Sequence, residues 1–331
     1  MRERTEERMS ELRFNTVTGD WVIIASERAK RPADFKPKTE RPPLPEHSPN
    51  CPFCPGNEKM SADETLRYND SRGNWLVRSV VNKFAALAPV EGFACDASGI
   101  HRRCTGYGRH EVIIESPQHH LTTALQPQSQ INLILRAYRE RFRAFFADEH
   151  IEHVIAYKNH GPSAGTSLEH PHSQIVGLPV VPAQVKGRLS NSHQHLERQG
   201  DCLFCQTLVA EEREGNRLVA QNDSFTAFIP YAALSPFHLW VFPRTHQACF
   251  GNISDRTLED LGRIMKDVLT RLYKGLSNPD FNYVIRSAGL RDLKGDGFHW
   301  YISIVPRLNL AAGFELGTGM YVNPSIPETS A

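Results

Sequence analysis

Apolar residues recur along this chain with two different periods, and the alternation between them outlines its architecture. Residues 131–149 (INLILRAYRERFRAFFADE) and 257–276 (TLEDLGRIMKDVLTRLYKGL) carry apolar side chains three and four positions apart, as one face of an α-helix requires. Between them lie short runs rich in β-branched and aromatic residues. They are residues 74–87 (NWLVRSVVNKFAAL), 109–116 (RHEVIIES), 153–159 (HVIAYKN), 224–230 (SFTAFIP), 237–243 (FHLWVFP), 281–287 (FNYVIRS) and 298–306 (FHWYISIVP). These read as strands. Residues 28–50 (RAKRPADFKPKTERPPLPEHSPN) hold too much proline and charge for a core element and read as an extended arm.

The elements come in a repeated order: CxxC, strands ending near a histidine, a helix, a strand, a loop and a strand led by histidine. A repeat this long is a duplicated domain, since solenoid units are shorter and more numerous. Residues 181–200 (VPAQVKGRLSNSHQHLERQG) lose apolar periodicity, which puts the division there, with halves at 1–185 and 186–331. Most connections are too short for crossover helices, so the sheets are expected to be largely antiparallel. The expected fold is α+β, with one long helix per half packing one face on its own sheet.

Composition narrows the class. The chain has 331 residues, 40% hydrophobic and 23% charged, with a net charge of +1, so bulk charge gives no reason to expect nucleic acid. The N-terminal residues carry no apolar signal region, and no stretch reaches the roughly 18 apolar residues of a membrane span. A cytoplasmic protein with no membrane partner is the expectation. Four of the seven cysteines form two CxxC pairs, which in a cytosolic chain points to metal or redox chemistry. Cys95, Cys104 and Cys249 read as unpaired thiols.

Tetrahedral zinc takes four soft or borderline ligands, and CxxC supplies two from one tight turn. Cys51 and Cys54 have His119, with its neighbour His120 as the competing ligand, and His170 as partners, and Cys202 and Cys205 have His246 and His299. Each histidine holds the same place in its half: one just past a strand, one leading the last strand. A redox pair is the competing reading of a single CxxC, but CPFC follows a polar loop rather than a strand-to-helix turn. Two closed Cys₂His₂ sites would be structural zinc centres.

With His170 assigned to metal, His172 of EHPHSQIVG is left over, and only the first half has it; Tyr301 stands at the matching place in FHWY. A neutral imidazole is a good nucleophile toward phosphorus, and its phosphoramidate passes the group on. Gln174, on the same face of a strand, would donate to a phosphate oxygen, and the turn at 161–167 supplies further donors. A histidine held for structure alone is the alternative on these residues.

RAKRP, CPFC, NKFAAL, SPQHH and GTSLEHPHSQ, in order over nearly the whole chain, resemble galactose-1-phosphate uridylyltransferase, a double-domain family of the histidine-triad superfamily. The resemblance implies two tandem histidine-triad-like half-domains and a ping-pong reaction through a covalent His–nucleotide adduct. It makes His172 the nucleophile, with Gln174 and Ser167 at the transferred phosphate. Arg28, Arg31, Asn82 and Asn159 would hold nucleotide or phosphate, and Phe314 and Glu315 of GFELGTG the sugar. Cys51, Cys54, His119 and His170 match the family zinc site. The substrates implied are a nucleotide sugar with a sugar phosphate or phosphate, and the family makes a homodimer the expected assembly. Bacterial members also use a His-x-His pair in the last strand for iron, where this chain has Ser303 and Val305. The expected activity is UDP-glucose:hexose-1-phosphate uridylyl transfer in galactose metabolism. The second CxxC set, the serine of HPHSQ and GFELGTGMYVNP look closer to the branch of plant ADP-glucose phosphorylase, which makes AMP transfer from an ADP-sugar to phosphate the alternative. A zinc-stabilised nucleotide-binding protein without turnover is the third reading.

Overall fold

A computed structural model describes residues 10–25, 35, 41–292, 295–309 and 311–331. Its centre is a ten-stranded, antiparallel sheet. The first half supplies β3 (Glu64–Asn69), β4 (Trp75–Val81), β7 (Arg109–Ile114), β8 (His153–His160) and β9 (His172–Leu178). From the second half come β10 (Leu218–Gln221), β11 (Phe225–Phe228), β12 (Leu239–Pro243), β13 (Phe281–Arg286) and β14 (Tyr301–Pro306). The order across the sheet is β10-β11-β12-β14-β13-β8-β9-β7-β4-β3. Each half thus lays its five strands in the same order, and β8 joins β13 at the middle. The mixed α+β, two-part fold expected from the sequence is observed.

Long helices α1 (Gln128–Phe146) and α4 (Asp255–Gly275) cover one face of the sheet. In α1 the buried stripe is Ile131, Ile134, Leu135, Tyr138, Phe142 and Phe145, and in α4 it is Leu258, Leu261, Met265, Val268, Leu269 and Leu272. Both follow the three-and-four spacing. Ser254 caps α4 by accepting from the backbone N–H of Thr257, the usual job of an N-cap hydroxyl. Inward strand residues such as Ile113, Ala156, Ile175, Val241, Ile285 and Ile302 meet these stripes, so one core runs under both halves.

The opposite face differs between the halves. The second half covers it with α2 (Ala183–Gln199) and α3 (Leu203–Glu214), packed over Phe228, Trp240, Phe242 and Tyr301. Among the described residues, the first half covers it with the CPFC turn, around Phe53, Trp75, Val112 and Ile114. Two expectations are corrected here. Residues 181–200, where the division was expected, hold α2; only Val185, Leu189 and Ser192 of that helix are buried, too narrow a stripe to show as periodicity. There is therefore more than one long helix in the second half. CLFC is no tight turn but opens α3, with Cys202 at its N-cap, whereas Pro52 and Pro55 keep CPFC irregular.

β5 (Cys95–Ser98) and β6 (His101–Cys104) form an exposed hairpin, and Cys95 is joined to Cys104 in a disulfide. Reading the two as unpaired thiols was wrong: the turn at Gly99, whose φ is +60°, folds the strands so that the cysteines fall opposite each other. Cys249 is a free, buried thiol as expected. β1 (Glu11–Asn15), β2 (Asp20–Ile24) and β15 (Tyr321–Asn323) make a separate small sheet that ties the C-terminal segment back to the start of the chain. No helix among the described residues is long and apolar enough to cross a membrane.

Candidate active site and metal centres

The polar motif at the start of β9 is split by the backbone. His170 precedes the strand and turns toward CPFC, while β9 begins at His172. Cys51, Cys54, His119 and His170 are all buried, and their donor atoms converge into a group that could hold a metal ion. His170 Nδ1 lies 3.7 Å from Cys51 Sγ, 3.6 Å from Cys54 Sγ and 3.3 Å from His119 Nδ1, and Cys54 Sγ is 3.5 Å from His119 Nδ1. Metal–ligand bonds of about 2.3 Å to sulfur and about 2.0 Å to nitrogen in a tetrahedron imply edges of roughly 3.5 and 3.3 Å, so the four donors fit zinc. His170 Nε2 donates to the Ser116 carbonyl at 2.8 Å, which leaves the Nδ1 lone pair facing the thiols. Burial lowers the pKa of His170 to about 4, so it is a neutral ligand at ordinary pH.

The second group is Cys202, Cys205 and His246. Cys205 Sγ lies 3.3 Å from His246 Nδ1 and 3.4 Å from the Nδ1 of the fully buried His299. The two sets arise from matching places: His119 and His246 follow β7 and β12, and His170 and His299 precede β9 and β14.

His172 is buried against Phe53 of CPFC, with ring centroids 5.4 Å apart. Its Nδ1 sits 2.8 Å from the His170 carbonyl. A carbonyl only accepts, so Nδ1 carries the hydrogen and Nε2 bears the free lone pair. Burial holds the imidazole below its ordinary pKa, against the raising effect of that hydrogen bond. The site thus contains a neutral imidazole in a fixed tautomer, hung from the backbone of a residue of the first Cys/His group.

Beneath it lies an ion pair that the sequence did not reveal. Lys158 Nζ bonds Glu115 at 2.7 Å and the His172 carbonyl at 3.0 Å, with both ionic side chains fully buried. Burial pushes the Glu115 carboxyl up, but the charge and hydrogen bond of Lys158 outweigh it and the net shift is downward. Thr123 donates to the same carboxylate, and the Tyr138 hydroxyl joins Glu115, Ser173 and Tyr283. His110 was also missed. Its Nε2 lies 2.8 Å from Gln174 Oε1 and 3.0 Å from Asn82 Nδ2, and Tyr157 donates to Gln174 Oε1 at 2.9 Å. The Gln174 oxygen is therefore occupied, and its amide N–H groups have no described partner. A lysine in HVIAYKN and a histidine in RHEVIIES carry no local sign of a pairing across the sheet.

The remaining expected residues are less tightly gathered. Asn159 accepts from Asn282 at 2.8 Å, and Asn282 also donates to the Ala164 carbonyl, which pins the 161–167 loop from the second half. Asp280 accepts from the Ser163 N–H, and a Cβ on Gly161, where φ is +85°, would collide with that carboxylate. Ser167 is exposed in this loop and makes no described hydrogen bond. Phe314 is half exposed on the short helix α5 (Gly313–Thr318), and Glu315 accepts from the Ala312 N–H at the helix's own start. Neither makes a described contact with the His172 cluster. Arg28 and Arg31 lie outside the described residues.

Residues 1–182 match the model of the galactose-1-phosphate uridyl transferase N-terminal domain, and residues 188–304 that of its C-terminal domain. The chain therefore belongs to the galactose-1-phosphate uridylyltransferase family and is a nucleotidyltransferase. ADP-glucose phosphorylase of Arabidopsis thaliana is 36% identical, over 99% of this chain and 93% of that protein. Galactose-1-phosphate uridylyltransferase of Thermotoga maritima is 25% identical, over 98% and 97% of the two chains. A crystal structure of an Arabidopsis thaliana ADP-glucose phosphorylase with bound ADP-glucose superposes with a TM-score of 0.81 at 33% identity, covering 97% of this chain and 96% of that one.

Proposed function

We propose that this protein is an ADP-sugar phosphorylase that moves AMP from an ADP-sugar to phosphate through His172. This replaces uridylyl transfer as the preferred reading. The observation that carries it is the likeness to ADP-glucose phosphorylase, at 36% identity over nearly the full chain against 25% for the uridylyltransferase. In the first step Nε2 of neutral His172 attacks the α-phosphorus. An N–P bond forms, the bond to the bridging oxygen breaks, and sugar 1-phosphate leaves with that oxygen and its electrons. In the second step a phosphate oxygen attacks the same phosphorus, the N–P bond breaks, ADP departs and the lone pair returns to Nε2.

The chain's own groups serve these steps by position. The His170 carbonyl holds the Nδ1 proton and stabilises the imidazolium-like adduct, and the free amide hydrogens of Gln174 bond a non-bridging oxygen that gains charge. Lys158 holds the His172 carbonyl and so fixes the strand at the nucleophile. Asn82 and Asn159, and Ser167 of the 161–167 loop, are assigned to nucleotide and phosphate, Arg28 and Arg31 of the arm likewise, and Phe314 and Glu315 to the sugar. Both Cys/His groups are assigned to structural zinc, whose role is to hold CPFC and the start of β9 together in one half and α3 against β14 in the other.

The test is covalent labelling. ADP-glucose labelled at the α-phosphate is expected to leave one label on His172, none on the His172→Ala variant, and to yield ADP when chased with phosphate. Labelling by UDP-glucose alone, with discharge only to a hexose 1-phosphate, would restore the uridylyl reading. A protein that binds both nucleotides and is labelled by neither would overturn transfer altogether.

A further inference from the structure

The sheet registers allow the two halves to be superimposed residue by residue on paper. In the first half Val112 pairs with Gln174 and Ile114 with His172; in the second Trp240 pairs with Ser303 and Val241 with Ile302. On this register Tyr301 stands where His172 does, Ser303 where Gln174 does, and His238 where His110 does. Across the neighbouring strand Tyr157 pairs with Gln174, and Val284 with Ser303, so Arg286 occupies the place of Asn159. The second half keeps the frame of a transfer site but fills it differently.

What fills it is positive and has no counter-charge among the described residues. Arg286 is half-buried, its Nε is sealed from solvent without a hydrogen-bond partner, and its one described side-chain bond is a long one of 3.4 Å to the Gln184 amide. Arg188, on α2, donates to the Tyr301 hydroxyl at 3.1 Å and to the Gln184 carbonyl at 2.8 Å, so the two guanidinium groups meet at Gln184 and repel. Neither guanidinium has a carboxylate partner among the described residues. His153 and His238, both about 2% exposed, lie within electrostatic reach of Arg286, and each has an Nδ1 without a partner. For His238 the hydrogen is fixed: the Trp240 indole can only donate, at 3.1 Å to Nε2, so Nδ1 carries an N–H with nothing to receive it. Buried cations and donors without acceptors are costly, and a bound anion removes that cost. The burial and the neighbouring Arg188 that depress the Arg286 pKa act in the same sense.

We infer that the second half carries a binding site for a phosphate-type oxyanion, formed by Arg188 and Arg286 beside Tyr301, at the position that corresponds to the transfer site of the first half. Guanidinium forks match tetrahedral oxyanions by paired N–H donors. With Tyr301 in place of the histidine, this frame lacks the imidazole on which the proposed transfer depends, so the anion is held and not transferred. The anion site is the same whichever nucleotide reacts at His172.

The test uses the full chain and inorganic phosphate as the probe. Phosphate is expected to slow modification of Arg188 and Arg286 by phenylglyoxal at least fivefold, read peptide by peptide on the unaltered protein. In equilibrium dialysis, Arg286→Gln and Arg188→Gln variants with parental melting temperature are expected to bind at least one equivalent of phosphate fewer, or tenfold more weakly, than the parent. Parallel arms with sulfate and glucose 1-phosphate separate a free oxyanion from a sugar ester. Tighter protection by glucose 1-phosphate identifies the ester as the source and supports the site. Equal modification rates with and without all three anions would overturn it, as would an unchanged isotherm in both folded variants. Labelling of His172 by ADP-glucose is read separately, so failure of one reading leaves the other decided on its own result.

Discussion

Under His172 the two halves part company, although their strands run in the same order and register. On the helix-facing side the first half buries Glu115, Lys158, Ser173 and Tyr138 in one hydrogen-bonded cluster. At the matching positions the second half has Pro243, Ile285 and Ile302 in a dry core. A buried ion pair adds little stability over an apolar pair, so its retention on one side only points to a task. That task is visible: Lys158 reaches the carbonyl of His172, and Tyr301 across the pseudo-repeat has no such support. The opposite face shows the reverse asymmetry. Helices α2 and α3 cover it in the second half, and the first half leaves it to the CPFC turn and the site. The repeat supplies two equivalent frames, and the proposed chemistry sits in the one that the described helices leave uncovered.

The comparison yields graded predictions. His172→Ala is expected to lower turnover of the nucleotide sugar by about 10⁴-fold or more, since a covalent route has no substitute for its nucleophile; a loss below tenfold, in steady-state assays, would place the chemistry elsewhere. The metal groups come next. Cys54→Ala is expected to release one metal equivalent and to reduce His172 labelling about 10- to 100-fold, because the carbonyl that orients His172 belongs to a ligand of that site. Cys205→Ala should also lose one equivalent and melt at lower temperature while keeping most labelling; equal loss of labelling in both would erase the distinction drawn between the halves.

Lys158→Met leaves Glu115 buried without its cation, and is expected to cost about 3–5 kcal/mol of stability. The paired change Glu115→Gln with Lys158→Met should recover much of that cost in denaturant titrations but not the labelling rate, which separates positioning from mere stability.

His153, beside Arg286, has its pKa lowered from 6.5 to about 4 by burial, with Arg286 adding to the shift. Between those values the unfolded chain binds the extra proton, so this contribution is fully present above about pH 6.5 and is lost as the pH falls through about 4. Unfolding measured across that range should show roughly 3 kcal/mol less acid dependence in His153→Gln than in the parent. The smallest effect expected is that of Tyr283→Phe, which removes the one hydroxyl the second half lends to the buried cluster, a loss of about 1 kcal/mol.

Much of this was legible in residue order. CxxC spacing, the repeated order of strands and helices, the long stripes of α1 and α4 and the HPHSQ motif are local patterns, and local geometry fixes what they can form. The matched histidines even foretold which residues would meet at the metal groups, because a duplicated frame carries its own internal comparison. Three things were settled only in three dimensions. Helix α2 buries three side chains in seventeen residues, so its amphipathicity exists only relative to the sheet it covers. Cys95 and Cys104 look solitary until the hairpin register sets them opposite each other. Lys158 and Glu115 are 43 residues apart, and His110 and Gln174 are 64 apart. Such pairs leave no trace in periodicity, because a side chain's partner across a sheet is chosen by strand order and register. The sequence by itself determined which residue types stand at the reactive positions; the tertiary structure decided which of two equivalent frames would hold a buried ion pair beneath His172.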